Sequence, residues 1–367
     1  MPSNKCGASA PAREKPEYYK SAVCKARFIH TFPKASILII ALVALHLALL
    51  LAGFVAPYNP ATQDRERPYA PPTTLHFKDV SGWHLRPFIY QLTIGPDGYV
   101  EDKSQAFSIH LFTRGAPHKL LGILETDRHL FGVDDPARIT LFGTDAFGRD
   151  EFSRLVYGGQ ISVSAGITAT FIALLIGTAF GIVAGYYGRW IDEWLMGGTE
   201  LFLSLPWLYF LLGVRAFLPL HLSPVHTFFL LTCVIGMIGW ARPARIVRGI
   251  VLTARSRNYV LAARGFGASD FYLMRRHILP EVSGVLLTQA AMLVPRYIAA
   301  EVTLSFFGLG VSEPVASWGN MLSSLQQYSV LVSYAWLLAP VAALVVTSVI
   351  YAILADLLHS RLEFQQS

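Results

Sequence analysis

Six long apolar runs leave this chain few ways to fold. They lie at Ser36–Ala56, Ile161–Tyr186, Thr199–Leu218, Leu222–Trp240, Gly284–Phe307 and Val332–Leu354. Each is close to the ~20 residues that carry a helix across the hydrocarbon core of a bilayer. In lipid every backbone N–H and C=O must find its partner inside the chain, which selects helices for such runs. Of the 367 residues only 15% are charged, against about 25% in a typical soluble domain. An ordinary soluble enzyme and a disordered chain are both excluded. The first run follows a polar stretch, 1–35, and exceeds the roughly 7–15 apolar residues of a secretory signal. It reads as an uncleaved span.

The positions of Lys and Arg orient the spans. The tail 1–35 carries 7 basic residues and 241–283 carries 8, whereas 219–221 and 309–331 carry none. Six spans with the N-terminus inside put both basic segments in the cytoplasm and both uncharged ones outside. The C-terminal tail, 358–367, is then cytoplasmic too, and only 187–198, with Arg189 against Asp192 and Glu193, favours neither side.

The same topology places 57–160 outside. Within 57–142, alternating pieces such as Thr74–Phe77, Pro87–Ile94 and Phe107–Phe112 are punctuated by Pro71-Pro72, Gly95-Pro96-Asp97-Gly98 and Gly115-Ala116-Pro117. Alternation bounded by turn residues predicts a small β-rich extracytoplasmic domain rather than a bare linker. The segment 143–160 then leads into the second span. The predicted class is an all-α polytopic membrane protein of six transmembrane helices, with a β-rich insertion after the first.

In the second span Ala165, Ala169, Ala173, Gly177, Gly181 and Gly185 recur every four residues. On a helix they form one ridge of small side chains, which lets backbones approach where lipid offers no hydrophobic drive. The ridge predicts a central helix, packed either within the chain or at a subunit interface. Charges within spans are costly and often functional. Glu200 and Arg215 lie near the ends of the third span and can snorkel. Arg296 and Glu301 lie deeper, on different helix faces, and serve either a water-lined pathway or interhelical contacts. His46 reads as a helix-packing residue. Pro206 and Pro295 are expected to kink their spans.

The most informative stretch is Ala241–Gly284. A helical segment over Ile246–Ala263 is interrupted at Gly265-Phe266-Gly267. A second runs from Ser269, a candidate N-cap, to Ile278, and Leu279-Pro280 is expected to stop it. The result is an Arg-rich helix–turn–helix on the inner surface. Contact with anionic headgroups would explain its arginines, but not the spacing of Leu261-Ala262-Ala263, Gly267 and Leu279-Pro280.

That spacing resembles the EAA loop of bacterial ABC-transporter permeases. Gly143-Thr144-Asp145, Gly148-Arg149-Asp150 and Phe152-Ser153-Arg154 resemble segments of the dipeptide/oligopeptide branch, the C-type subunit. So do Trp240, Arg245 and Arg248, and so do Ser305–Gly310 and Ser317–Met321. The resemblance covers 140–357 and the first span. It implies a methionine-permease-like (MetI-like) core over 161–357, in which the loop forms a short coupling helix against a cytoplasmic ATPase. On that basis Leu261, Ala262, Ala263, Arg264, Gly267, Leu279 and Pro280 shape the ATPase contact, and Arg264, Arg275 and Arg276 meet either ATPase carboxylates or lipid. Leu261 replaces the family's glutamate, so no carboxylate contact follows there. Asp356 is kept at the C-terminal end, without the Asp-Pro-Arg pattern.

The implied function is import of di- or oligopeptides. The implied partners are a second permease, ATPase subunits and an extracytoplasmic binding protein, and the implied location is the bacterial inner membrane. ATP and magnesium belong to the ATPase chains, because no GxxxxGK[ST] occurs here. No HExxH, cysteine cluster or GxSxG elbow is present, so the chain reads as a transport subunit and not an enzyme. The alternatives are an autonomous secondary transporter, which calls for internal repeats, and an importer of a non-peptide solute such as nickel. Asp127, His129, Asp134 and Asp135 could be drawn as an enzyme site, but His129 reads as a packing or turn residue.

Overall fold

The computed structural model describes residues 36–79, 82–96, 98–120, 123–204, 206–217 and 223–366. The tail 1–35, the segment 219–221 and the side chain of Arg215 lie outside the described residues. Helices α1 (Ser36–Leu50) and α2 (Ala52–Val55) precede strands β1 (His76–Asp79), β2 (Gly82–Gly95), β3 (Gly98–Ser108), β4 (His110–Leu120) and β5 (Leu124–Gly132). The helices then resume as α3 (Glu151–Tyr187), α4 (Arg189–Ser204), α5 (Trp207–Phe217), α6 (Pro224–Ile238), α7 (Ala241–Ala254) and α8 (Asn258–Gly265). They end with α9 (Asp270–Leu273), α10 (Leu279–Phe306), α11 (Trp318–Leu322), α12 (Tyr328–Ser333) and α13 (Ala339–Gln366).

The bundle is organised around α3, which touches α2, α4, α6, α7, α10 and α11. Its small-residue ridge explains that position. A Cβ on Gly177 would sit 2.8 Å from the Trp240 carbonyl oxygen, one on Gly181 2.6 Å from that of Ala244, and one on Gly185 2.9 Å from that of Arg248. These three glycines therefore seat α7 directly on the α3 backbone. One turn up, Ala169 and Ala173 pack with Leu231 and Ile235 of α6. Gly166 receives Ile298 of α10. This part of the ridge is occupied within the chain. Helix α1 joins α13 through His46. Its Nδ1 lies 2.8 Å from the Leu42 carbonyl, which can only accept, so Nε2 accepts from the Tyr351 hydroxyl at 2.8 Å.

Among the described residues three helices are long and apolar enough to cross a membrane: Glu151–Tyr187, Asp270–Phe306 and Ala335–Ser360. The pair α6 and α7, bent by 40°, makes a fourth if taken as one span, and Ser36–Leu50 is a shorter apolar helix. The difference from six has local causes. The third apolar run is divided at Pro206 between α4 and α5, and the fourth bends after Gly239. The stretch 187–198 was expected between spans, yet most of it is the first part of α4. That helix is amphipathic rather than apolar, so apolar length alone misses it. Its Asp192 is doubly hydrogen-bonded by Arg248 of α7, and its Glu200 lies 3.7 Å from Arg245. The segment expected as a basic surface loop likewise opens with a bundle helix, α7, which buries Ala244, Val247 and Val251.

A second correction concerns Pro280. It does not stop a helix; it opens α10 at its first turn. The preceding Met274–Ile278 is a π-helical turn, and the N–H of Leu279 reaches back to the Met274 carbonyl. The wider turn removes the clash that a proline makes with the carbonyl four residues earlier. Asp270–Phe306 thereby runs as one 37-residue helical segment, continuous through Pro295.

The β segment forms two antiparallel sheets, β1-β2-β3 and β4-β5. Gly95 pairs with Gly98 across the β2–β3 turn. Gly115-Ala116-Pro117 is not a turn but an irregularity within β4, where the register shifts between Arg114 and His118, because proline cannot donate to a ladder. Ile89, Phe107, Ala137 and Ile139 form a small core. Buried His129 places its ring nitrogens 2.6 Å from the Ala56 carbonyl and 3.0 Å from that of Ala116, joining the end of α2 to the β4–β5 hairpin. Asp127 and Asp134 face Arg114 and His110 instead, and no metal-holding group occurs among the described residues.

Candidate functional site

The helix–turn–helix α8–α9 is shaped by its turn. Gly267 has φ +84°, a conformation that costs glycine little. Its N–H bonds to the Arg264 carbonyl at 3.0 Å, and that of Ala268 to the Ala263 carbonyl at 3.1 Å. These bonds make a Schellman motif with Gly267 at the left-handed position. They give the spacing between Ala263 and Gly267 a physical reason. Ser269 then caps α9, accepting from the Tyr272 N–H at 3.3 Å.

One face of this unit is mounted on the bundle. Val260, Leu273 and Ile278 are buried with Tyr186, Val247, Val251 and Val282. The other face is open and apolar. Phe266 is 93% exposed and Phe271 69%, with Leu261, Tyr272, Ala262 and Gly267 also exposed beside them. Leu279 and Pro280 are exposed at the start of α10. The sequence singled out Leu261, Ala262, Ala263 and Gly267 of this unit but not Phe266 and Phe271; aromatics flanking the glycine turn were the available signal.

Arg264 is engaged inside the chain. Its guanidinium donates to the Tyr186 hydroxyl at 2.7 Å, and that hydroxyl donates to Asp270 Oδ1 at 2.6 Å. The triad fastens the turn to the end of α3. Arg275 and Arg276 make no ion pair among the described residues. Arg257 and Tyr259 both reach Glu281, at 3.3 and 2.7 Å.

The structure separates Arg296 from Glu301. Arg296 lines a cleft of about 270 Å³ with Arg242, Phe202, Trp207, Leu211 and Tyr297. Glu301 does not: it is 3% exposed and accepts from Ser305 Oγ at 2.6 Å. Ser305 Oγ in turn accepts from the Val311 N–H at 3.1 Å, and Ser162 Oγ from the Trp318 N–H at 3.2 Å. The carboxyl thus sits in a hydroxyl-rich seam joining α3, α10 and the loop before α11, apart from the cleft that Arg296 lines.

The far end of α3 from the turn holds a buried ion network. Arg149 donates to Asp145 at 2.7 Å and to Glu313 at 2.6 and 3.1 Å. Arg154 donates to Glu313 at 3.0 Å. Burial pushes the Glu313 carboxyl up, but bonds from Arg149 and the charge of Arg154 outweigh it and leave it below the usual carboxylate range. Asp150 caps α3, accepting from the Ser153 N–H at 2.8 Å. Its other oxygen is buried without a partner, and burial pushes this carboxyl up to about 6. A raised acid favours the fold when protonated. That contribution is full below the ordinary value of 3.8 and is lost as pH rises through about 6. Asp150→Asn keeps the cap without the charge. In thermal unfolding it should melt about 2–4 °C above wild type at pH 7.5, with the gap closing towards pH 5.

The apolar helical bundle thus carries an ion network at one end and a mounted, open apolar face at the other. Residues 177–364 match the family described as binding-protein-dependent transport system inner membrane component. The chain belongs to that family. It is 38% identical to the dipeptide transport system permease protein DppC of Bacillus subtilis over 56% of this chain and 61% of that one. It is also 38% identical to the oligopeptide transport system permease protein OppC of Haemophilus influenzae, over 50% and 57%. The chain thus spans about three fifths of the length of each of these relatives. A solved structure of the MetNI methionine ABC transporter, inward facing, aligns with 57% of this chain and 96% of its own at 16% identity and a TM-score of 0.44.

Proposed function

We propose that the chain is the transmembrane permease subunit of an ATP-driven importer. It passes di- or oligopeptides from an extracytoplasmic binding protein through the membrane and is itself no enzyme. Its likeness to dipeptide and oligopeptide permeases supports the substrate class. One observation carries the coupling role: an apolar surface, centred on Phe266, stands open on a turn whose reverse side is buried in the bundle. Such a surface fits a groove on a partner. Leu261, Ala262, Ala263, Gly267, Leu279 and Pro280 would line that contact, with Arg264 holding the turn to α3. ATP and magnesium would be bound by the ATPase chains, and a second permease would complete the pathway.

In this reading six spans cross the inner membrane, with α4 and α5 together supplying the third and the bent pair of α6 and α7 the fourth. Both termini are cytoplasmic, and 57–142 lies outside, where it meets the binding protein or covers the pore. The proposed domain limits are those read from the sequence: a tail 1–35, a first span 36–56, a lead-in 143–160, a core 161–357 with its coupling loop in 241–283, and a tail 358–367.

The test is gentle purification of the tagged chain from its native membrane, comparing wild type with Phe266→Glu and Gly267→Trp. Wild type should bring a P-loop ATPase and a second permease. Both variants should lose the ATPase at least tenfold and keep the permease. Phe266 is almost fully solvated, so its replacement leaves the fold intact. A wild-type chain that purifies without an ATPase overturns the proposal.

A further inference from the structure

The cleft beside α10 holds two arginines with no carboxylate of their own. Helix α7 carries Arg242, Arg245 and Arg248 at three-residue intervals. Facing α4 supplies Asp192 to Arg248 and Glu200 to Arg245. Arg242 is left over and turns into the cleft, where Arg296 of α10 joins it. Among the described residues neither has an ion-pair partner. Both are exposed and line the cleft wall at the level of the spans rather than being packed in the core. Arg296 stands midway along the apolar run 284–307. Arg242 lies between Ala241 and Pro243, at the level where α7 rests against Gly177 of α3. Tyr297, next to Arg296, donates to the Gly239 carbonyl at 3.2 Å, which joins α10 to the α6–α7 bend beside the cleft that both arginines line. The rest of the lining is aromatic and aliphatic, with Phe202, Trp207 and Leu211.

Uncompensated guanidinium groups at that depth are too costly to face acyl chains; they belong to a water-filled route and await an anion. We propose that Arg242 and Arg296 hold the C-terminal carboxylate of the peptide during its passage, with the apolar walls accepting the adjoining side chain. The proposal rests on the peptide-importer reading and adds a binding station to it. The chemistry suits such a task. A route that passes many sequences can grip only what all linear peptides share, and the terminal carboxylate is the one anion always present. Guanidinium forks match its planar geometry.

The test uses the complete transporter with its binding protein in liposomes. Pairs of peptides of one sequence, with a free or an amidated C-terminus, are compared at equal occupancy of the binding protein. For wild type the uptake ratio of free to amidated peptide should be about tenfold or more. Arg242→Gln and Arg296→Gln should each bring the ratio close to one, and Arg296→Lys should retain part of it. Assembly of each variant is checked by size-exclusion chromatography, and the lysine variant keeps the test decisive if a glutamine variant fails to assemble. Equal slowing of both peptides, or an unchanged ratio, overturns the proposal. A ratio that follows the anionic lipid content and not the peptide terminus assigns the arginines to lipid phosphate and overturns it as well. Wild type that carries neither peptide refutes the importer reading itself, a result distinct from a lost preference.

Discussion

Gly181→Leu should leave no folded bundle to purify. The position offers no space: an added Cβ falls 2.6 Å from the Ala244 carbonyl oxygen and 2.7 Å from Val247 Cβ. The first of these is backbone, so no rotamer change relieves it, and α7 must lift from α3. Overpacking of a well-filled core costs about 1–3 kcal/mol when side chains can shift. Here a leucine would also unseat the contacts of Gly177 and Gly185, which lie on the same line. Even Gly181→Ala should lower stability by about 2–3 kcal/mol. Gly249, on the opposite side of α7, is the control. A Cβ there meets nothing within 4 Å, so Gly249→Ala should be neutral or stabilising by about 0.5–1 kcal/mol. Yield of monodisperse protein and unfolding in denaturant measure both. Equal behaviour of the two alanine variants would refute the close seating of α7 on α3.

Arg154→Met should cost about 3–5 kcal/mol, the range for removing one partner from a buried ion network. Arg154 is 1% exposed, donates to Glu313, and lies beside Arg149 among Asp145, Asp150 and Glu151. Methionine fills much of the volume, so the loss is chiefly electrostatic. The carboxylate of Glu313 and the buried Asp145 are then left with Arg149 alone. Glu313→Gln should be milder, about 1 kcal/mol, because that side chain is 46% exposed and water replaces much of what it gives. The contrast between the two variants in thermal unfolding is the check, and a harmless Arg154→Met would mean that the network adds nothing to stability.

The small-residue ridge of α3 was legible because a four-residue repeat maps directly onto one helix face. The turn at Gly267 was legible because a left-handed cap demands a glycine at a set distance from the helix end. Three features were not. Helix α4 is hidden from an apolar-run search because only one of its faces is apolar. Pro280 obeys a local rule, that proline ends a helix, but the π turn before it changes the local geometry. Glu313 pairs with residues 164 and 159 positions away, and no local pattern encodes such a partner. Its signal was subtler: it is the sole charged residue of 309–331, and a solitary acid in an outer loop calls for a distant base. The separation of Arg296 from Glu301 follows from their five-residue spacing, but which of them met the cleft depended on the placement of α4 and α5.

The π turn before Pro280 has a mechanical consequence. Because the helix does not break there, 37 residues from Asp270 to Phe306 form a single lever arm of about 55 Å. Phe271 and Tyr272 stand exposed at one tip. The other tip leads, through Gly308, into the strap that carries Glu313 to Arg149 and Arg154. A tilt of about 5° imposed at the aromatic tip displaces the opposite tip by about 5 Å over that length, more than the reach of the ion pairs clasped there. A break at Pro280 would absorb such a tilt in its joint; the π turn leaves no break there.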